Sequence, residues 1–426
     1  MRVLLVGSGG REHAMAAALC ESPSLDQLLI APGNAGTAAL GENVPLAADD
    51  VSGMVSLARE RRVDLVVVGP EAPLAGGLAD ALMAGEIPVF GPTRAAARIE
   101  SSKSWAKRLM ARHGIPTAGF ATFQTIHESM AHIDTLPEGP VVVKADGLAA
   151  GKGVIIAESR KQASEVVAEM IRGQMFGEAG STVVIEECLE GPEVSVFAFV
   201  DGRTVSNEVV ACDYKRAYDG EMGPNTGGMG AYTPPEFWSP ELSARIRAEV
   251  LEPCAAAMEA EGAPFRGVLY AGLMLTDSGP RVIEFNCRFG DPEAQVVLAR
   301  LDSDLLEIAN AAANGRLAEV EVRWNDRAAV CVVMASGGYP GPYKTGRRIT
   351  GLDDIPAGAR VFHAGTSKDG DGATVTAGGR VLGIVADGTD LAEARSAVYS
   401  AISAISFDDA EYRTDIAARA LDAATL

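Results

Sequence analysis

Short apolar runs alternate with amphipathic stretches over the first ninety or so residues. Residues 3–6, 27–30, 64–68 and 88–90 read as buried parallel strands, each ending in a loop that carries Gly or Pro, with helical patterns between them such as 13–20 and 76–84. That alternation predicts βαβ units over 1–92, a doubly wound open sheet whose ligand crevice lies at the carboxyl ends of its strands. A mainly helical connection follows over 93–119, closed by Gly114 and Pro116. Its Lys103 and Lys107 lie four apart and read as a solvated face. From Phe120 the pattern becomes strands with tight turns: 140–144, 153–157, 182–186, 194–200, 267–276 and a strand opening at Val282, with helices at 161–172, 240–261 and 294–301. Residues 326–426 read as a small α+β unit with strands at 330–334, 360–363, 374–376 and 380–385 and a helix at 391–403. The fold class is therefore α/β and α+β multidomain, divided into 1–119, 120–192, 193–325 and 326–426.

Composition narrows the function. A net charge of −20 argues against a nucleic-acid or anionic-membrane partner, so any bound phosphate is held by local donors. The six cysteines form no C-x-x-C and the five histidines no H-x-H or H-E-x-x-H, which predicts reduced thiols and no zinc site. MRVLLVGSGG reads as a first strand rather than a signal segment, and no later apolar run reaches spanning length. A soluble, cytoplasmic protein is expected.

The loops carry the chemistry. Gly7-Ser8-Gly9-Gly10-Arg11-Glu12-His13 begins like a dinucleotide fingerprint, but Glu12 stands where the third glycine belongs, and the second strand ends in Ala31-Pro32 without a carboxylate for a ribose. A mononucleotide-like or sugar-phosphate site fits better, with backbone N–H groups at a helix N-terminus as donors. His13 has no visible partner and reads as structural. Between the strands 140–144 and 153–157 runs Ala145-Asp146-Gly147-Leu148-Ala149-Ala150-Gly151-Lys152. This is not a Walker loop, because its glycine spacing is short and a strand follows instead of a helix. With Lys144 and Lys152 on either side, it reads as a hinged flap over a polyphosphate. The acidic bend 187–193 offers a natural adenine slot, with Glu193 available to ribose hydroxyls. The run 213–216 (DYKR) and the glycine-rich 223–232 (GPNTGGMGAY) suit a small polar substrate. Finally, 282–293 reads VIEFNCRFGDPE. Strand alternation puts Ile283 and Phe285 on one side and Glu284, Asn286 and Arg288 on the other. Glu284 with Asn286 is a hard-oxygen pair suited to Mg²⁺ on phosphates, and Arg288 lies within reach of the anion. Asp291 reads equally as a helix cap or a functional group.

These pieces in this order resemble an ATP-grasp ligase: a pre-grasp α/β domain, a strand–glycine flap–strand, an acidic hinge and a late E-x-N strand. More closely, the chain resembles the glycinamide ribonucleotide synthetase family. The resemblance rests on GGREH at 9–13, APGNAGT at 31–37, GPEAPL at 69–74, KADGLAAGKGV at 144–154, GPNTGGMGAY at 223–232, IEFNCRFGDPE at 283–293 and GGYPG at 337–341. Ser8 and Tyr214 depart from relatives that carry Asn and His there, which touches pocket detail and not the reaction. The resemblance implies an ATP-grasp fold with an N-terminal doubly wound parallel-sheet domain and a small C-terminal α+β domain. It implies ligation of glycine to 5-phosphoribosylamine through glycyl phosphate, with ATP and Mg²⁺ (Mn²⁺ as a substitute). The partners expected are these small molecules only, acting on a monomer. By the same resemblance Glu284 and Asn286 hold the metal, and Lys103, Lys144, Gly147, Gly151, Lys152 and Gly153 surround the phosphates. Glu186 and Leu189 offer backbone groups to adenine, and Glu193 binds ribose. Arg288, Lys144 and Asp291 are the catalytic candidates, Arg288 neutralising the glycine carboxylate. Asp213, Lys215, Asn225, Thr226 and Gly227 lie on the amino-acid and amine side. Gly9, Gly10, Arg11, Gly33, Asn34, Ala35, Gly36 and Glu71 serve the phosphoribosyl substrate. Two rivals stand beside this reading: a bicarbonate-dependent, biotin carboxylase-like enzyme, and a nucleotide-binding module without turnover.

Overall fold

Strands that are apolar on both faces build the amino-terminal sheet, as parallel sheets covered by helices require. In the computed structural model, which describes residues 1–149, 153–173 and 175–423, this sheet has five parallel strands. Their order is Glu42–Asn43, Gln27–Pro32, Arg2–Gly7, Leu65–Val68 and Val89–Phe90. The chain order reverses between Arg2–Gly7 and Leu65–Val68, so the loops after these two strands flank the crevice. The helical stretch expected at 76–84 is two helices, Glu71–Gly76 and Leu78–Ala84, because Gly77 between them takes φ +90°.

A second sheet is antiparallel, in the order Phe120–Phe123, Val183–Glu187, Val141–Ala145, Val154–Ala157. Alternation sorts its side chains. Val141, Val143, Ala145, Val183 and Ile185 pack with Ile133, Ala163, Val167 and Met170 from the helices Ile126–Ile133 and Arg160–Ile171. Lys144 and Glu186 therefore point to the opposite face, toward the rest of the molecule.

The third sheet is the largest. From one edge it runs Gly279–Asn286, Arg266–Thr276, Glu193–Asp201, Val209–Asp213, Gly230–Thr233, Ala328–Ser336, Arg380–Gly388 and Ala359–His363. Gly230–Thr233 pairs antiparallel with Ala328–Ser336, so the strands on either side of residue 326 share one hydrogen-bonded surface. Apolar clusters lie on both of its faces. The helix expected over 240–261 runs as Pro240–Ile246 and Glu252–Ala260 with a π-helical turn, Arg247–Leu251, between them. Pro253, which has no N–H to give residue 249, accounts for the loosened turn. Among the described residues no helix is long and apolar enough to cross a membrane.

Candidate active site

The edge hairpin of the large sheet carries the acid–amide pair. Tyr270, Ala271 and Gly272 pair with Asn286, Phe285 and Glu284, but Leu273 pairs with Val282, so Ile283 is an extra residue in its strand. This bulge turns the Ile283 carbonyl to accept from Lys144 Nζ at 3.0 Å, and Ile283 lines the cavity beside Glu284 instead of facing away from it. The cavity, about 460 Å³, lies where the three sheets meet.

On the side of the small sheet, Glu186 is buried between two lysines. Its Oε2 accepts from Lys107 Nζ at 2.7 Å, and Lys144 Nζ stands 3.0 Å from Oε1 without the alignment of a hydrogen bond. Lys107 and Lys144 are each 2% exposed. The solvated face expected for Lys107 is thus wrong: the helix Lys103–His113 turns this residue inward, where it also donates to Thr117 Oγ1. Burial, then the charge of Lys144, pushes the Lys107 ammonium down to about 8 against the pull of Glu186. Lys103 donates to the Gly147 carbonyl at 3.1 Å, and burial lowers its pKa too, against the pull of Glu284. Burial raises the Glu284 carboxyl, but Lys144, Lys103, Lys215 and Arg288 outweigh it and hold the group below the usual carboxylate range. Gly153 lines the cavity with Leu148 and Ala149, whereas Gly147 packs on Ala179. Gly151 and Lys152 lie outside the described residues. Leu189 is half-buried in the bend after Val183–Glu187 and does not line the cavity, while Glu193 does.

On the opposite side, Arg288 is held between carboxylates. Its Nε donates to Glu71 Oε2 at 3.2 Å and its Nη2 to Glu100 Oε1 at 2.7 Å. The other Glu100 oxygen accepts from the Cys287 N–H at 2.8 Å, which ties the end of the strand Gly279–Asn286 to the helix Arg94–Ser101. Lys215 Nζ bridges Asp213 Oδ1 and Glu193 Oε2, each at 2.8 Å. Thr226 returns both its N–H and its hydroxyl to the Lys215 carbonyl, which folds the Asn225–Gly227 loop onto the same wall.

Asp291 does not cap the helix that follows it. The helix Glu293–Val297 has Pro292 at its N-cap and no side-chain cap. Asp291 instead accepts from Gln295 Nε2 at 3.0 Å and from the Arg11 N–H at 3.4 Å, and pairs with Arg380 Nη2 at 3.4 Å. Burial raises its carboxyl, and Arg380 and Arg11 outweigh that and lower it. Arg380 comes from residues 326–426, where sequence spacing exposed no such group. Its Nη1 also donates to the carbonyls of Gly227 and Asp291, at 2.5 and 2.6 Å, while Tyr339 accepts the Gly227 N–H.

The glycine loops 7–13 and 33–36 assemble nearby. Arg11 lines the cavity, with Nε on Glu12 and Nη1 on the Phe289 carbonyl. Gly9 donates to Glu12 Oε2 at 2.6 Å. Asn34 spends its side chain on the loop itself: Nδ2 donates to the carbonyls of Ser8 and His363, and Oδ1 accepts from Gly36 and Thr37. Gly9, Gly10, Gly33, Asn34, Ala35 and Gly36 flank the cavity lining without forming it. His13 does have a partner, since its Nδ1 accepts from the His363 N–H at 2.7 Å. Sequence reasoning thus missed Glu100, Lys107, Tyr270, Glu293 and Arg380 among the lining residues. Lys107 and Glu293 at least stood inside or beside motifs already singled out.

Comparison with known proteins covers nearly the whole chain. Residues 1–100, 101–294 and 329–419 match the N domain, the ATP-grasp (A) domain and the C domain of phosphoribosylglycinamide synthetase. The phosphoribosylamine–glycine ligase of Allochromatium vinosum is 50% identical over 425 residues, 99% of each chain. That of Caulobacter vibrioides is 51% identical over 423 residues, again 99% of each. The crystal structure of phosphoribosylamine–glycine ligase from Thermotoga maritima superposes with a TM-score of 0.86 at 34% identity, covering 97% of this chain and 100% of that one.

Proposed function

Because the chain belongs to the phosphoribosylglycinamide synthetase family, we propose that its cavity holds ATP between the lysines and the Glu284–Asn286 pair, with glycine and the phosphoribosyl amine toward Asp213 and Arg380. The protein joins glycine to 5-phosphoribosylamine with conversion of ATP to ADP and phosphate, a step of purine biosynthesis. A carboxylate is a poor acyl donor because its leaving group would be oxide. Phosphorylation to glycyl phosphate supplies phosphate as the leaving group. The amine of the sugar then forms the C–N bond, the C–O bond to phosphate breaks, and the amine gives up a proton. Such chemistry asks for positioning and charge neutralisation rather than a protein nucleophile.

The observation that carries this reading is the convergence of Lys103, Lys144, Glu284, Asn286 and Arg288 on one cavity. Glu284 and Asn286 fit a divalent cation of the oxygen-loving kind. Among the described residues no group of three or more His, Cys, Asp or Glu makes a closed cage, so two hard oxygens are left to share the ion with phosphate and water. Bound there, Mg²⁺ neutralises phosphate charge, and Mn²⁺ has the same ligand preference and substitutes for it. Lys103 and Lys144 steady the phosphates, beside Leu148, Ala149 and Gly153 of the glycine-rich loop. The backbone at Glu186 and Leu189 faces adenine and Glu193 the ribose. Arg288 exchanges a carboxylate partner, Glu71 or Glu100, for the glycine carboxylate. The loops at Gly9–Arg11 and Gly33–Gly36, with Glu71, receive the phosphoribosyl group. Asp291, fixed by Arg11, Gln295 and Arg380, orders the junction between the two substrate sides.

Four units, bounded near residues 119, 192 and 325, contribute to this site. The reading includes a monomeric enzyme, and the free cysteines accord with a cytoplasmic one. The test is phosphate release from ATP and Mg²⁺ with glycine and freshly made phosphoribosylamine, then with each omitted. Release that needs both, with glycinamide ribonucleotide seen by mass, is expected. Release that needs neither, or needs bicarbonate, refutes the reading.

A further inference from the structure

Glu293 opens the helix Glu293–Val297 and lines the cavity, yet it is only 4% exposed. Its Oε1 accepts from the Tyr270 hydroxyl at 3.0 Å, and that hydroxyl lies 2.7 Å from Ser195 Oγ. With the Tyr270 proton committed to Glu293, Ser195 donates to Tyr270, and this buried line of hydroxyls ends on the carboxylate. Besides Tyr270, the carboxylate meets its own backbone N–H, and no cationic side chain hydrogen-bonds to it among the described residues. A Cβ on Gly290 would stand 2.5 Å from its Oε2, so the glycine leaves the space the carboxylate fills.

The surroundings are short of positive charge on this wall. Asp213 lines the same cavity, and Lys215 is already divided between Asp213 and Glu193. Burial and then the charge of Asp213 push the Glu293 carboxyl up to about 7, against the opposing pull of Lys215. Tyr270, Cys331 and Arg380 also feel Glu293, and Arg380 is committed to Asp291 and the carbonyl of Gly227. A buried carboxylate with no cationic hydrogen-bond partner, repelled by a second carboxylate, is a seat for a cation that arrives with a ligand.

Only one substrate brings a full positive charge. ATP and the phosphoribosyl group are anionic, while glycine carries an ammonium. We infer that Glu293, assisted by Asp213, binds the ammonium of glycine and makes the site selective for a protonated amino acid. This rests on the placement of glycine toward Asp213 given above. The arrangement also serves the chemistry, because an ammonium held by two carboxylates keeps its proton and does not compete with the sugar amine as nucleophile.

The first measurement uses the unaltered protein. Glycolate, which replaces the ammonium by a hydroxyl, is tested as an inhibitor of glycine-dependent phosphate release with ATP, Mg²⁺ and phosphoribosylamine. Its inhibition constant is expected to exceed the KM for glycine by about 100-fold or more, the scale of a buried charge-assisted contact. A value within about 3-fold of that KM overturns the inference, since nothing would then be reading the charge. The second uses Glu293→Gln. The KM for glycine is expected to rise roughly 10- to 100-fold, with the KM for ATP held within about 2-fold and glycolate inhibition unchanged. An unchanged glycine KM, or an equal rise for ATP and glycine, overturns it. If the unaltered protein shows no glycine-dependent release at all, the functional reading fails first and the inference falls with it.

Discussion

Acid should loosen the junction between the amino-terminal sheet and the carboxyl-terminal strands at one residue. His13 is 7% exposed, its ring lies edge-on to Phe362, and its Nδ1 accepts the His363 N–H, so the folded state needs a neutral imidazole. Burial, then the neighbouring His363, lowers its pKa from 6.5 to about 4. Because the folded value lies below the unfolded one, the stability this residue contributes is complete above pH 6.5 and is lost as the pH falls toward 4. A displacement of that size corresponds to about 3 kcal/mol, of which about 2 kcal/mol should be gone by about pH 5. His363, also lowered to about 4 by burial and then by Lys368, acts in the same direction. The assay is urea unfolding near neutrality and near pH 5, on the natural protein and on His13→Asn, whose side-chain oxygen keeps an acceptor but does not titrate. The loss of stability between the two pH values should be smaller in the variant by about 2 kcal/mol. Equal losses, or a proton resonance of His13 that titrates near its ordinary value, would refute the reasoning.

Three further outcomes follow from the cavity. Glu284→Ala should abolish turnover while circular dichroism and ATP affinity without metal stay near normal; normal turnover would sink the metal assignment. Glu186→Gln leaves Lys107 and Lys144 buried without their shared carboxylate, which should cost about 3 kcal/mol of stability and raise the KM for ATP about 10-fold or more. An unchanged ATP KM would show that the lysines hold their places without it. Arg380→Ala removes the donor to the carbonyls of Gly227 and Asp291 and the partner of the Asp291 carboxylate. It should lower kcat/KM by about 10-fold or more, with the KM for ATP little changed, and Arg380→Lys should restore only part of this, because a point charge cannot span the same acceptors. A variant whose only defect is in ATP binding would contradict that role.

The parts legible in the sequence were those whose signal is local. Uninterrupted apolar runs announced four of the five parallel strands of the first sheet, all but the short polar Glu42–Asn43, and Glu284-x-Asn286 on an alternating strand announced the acid–amide pair. The bulge at Ile283 was hidden, because strict alternation carries no sign of an extra residue until the partner strand is in place. Two lysines four apart look the same on a solvated helix face and on one turned toward a buried carboxylate, so Lys107 was read the wrong way until Glu186, 79 positions on, stood beside it. Arg380 and the His13–His363 contact were invisible for a related reason: each joins segments separated by 89 or more positions, and only the folded sheet brings them together.

The pairing of Gly230–Thr233 with Ala328–Ser336 has a practical consequence for anyone dissecting this chain. A fragment ending ahead of residue 328 would retain every residue proposed to hold nucleotide and metal, yet it would bare a row of unpaired amides and carbonyls along a buried strand. Such an edge is a template for joining another copy of itself. The fragment should therefore come out of the cell as aggregate rather than as a small ATP-binding protein. The matched family domains are units of sequence likeness in this chain, and scissors applied between the second and third would cut through a single sheet.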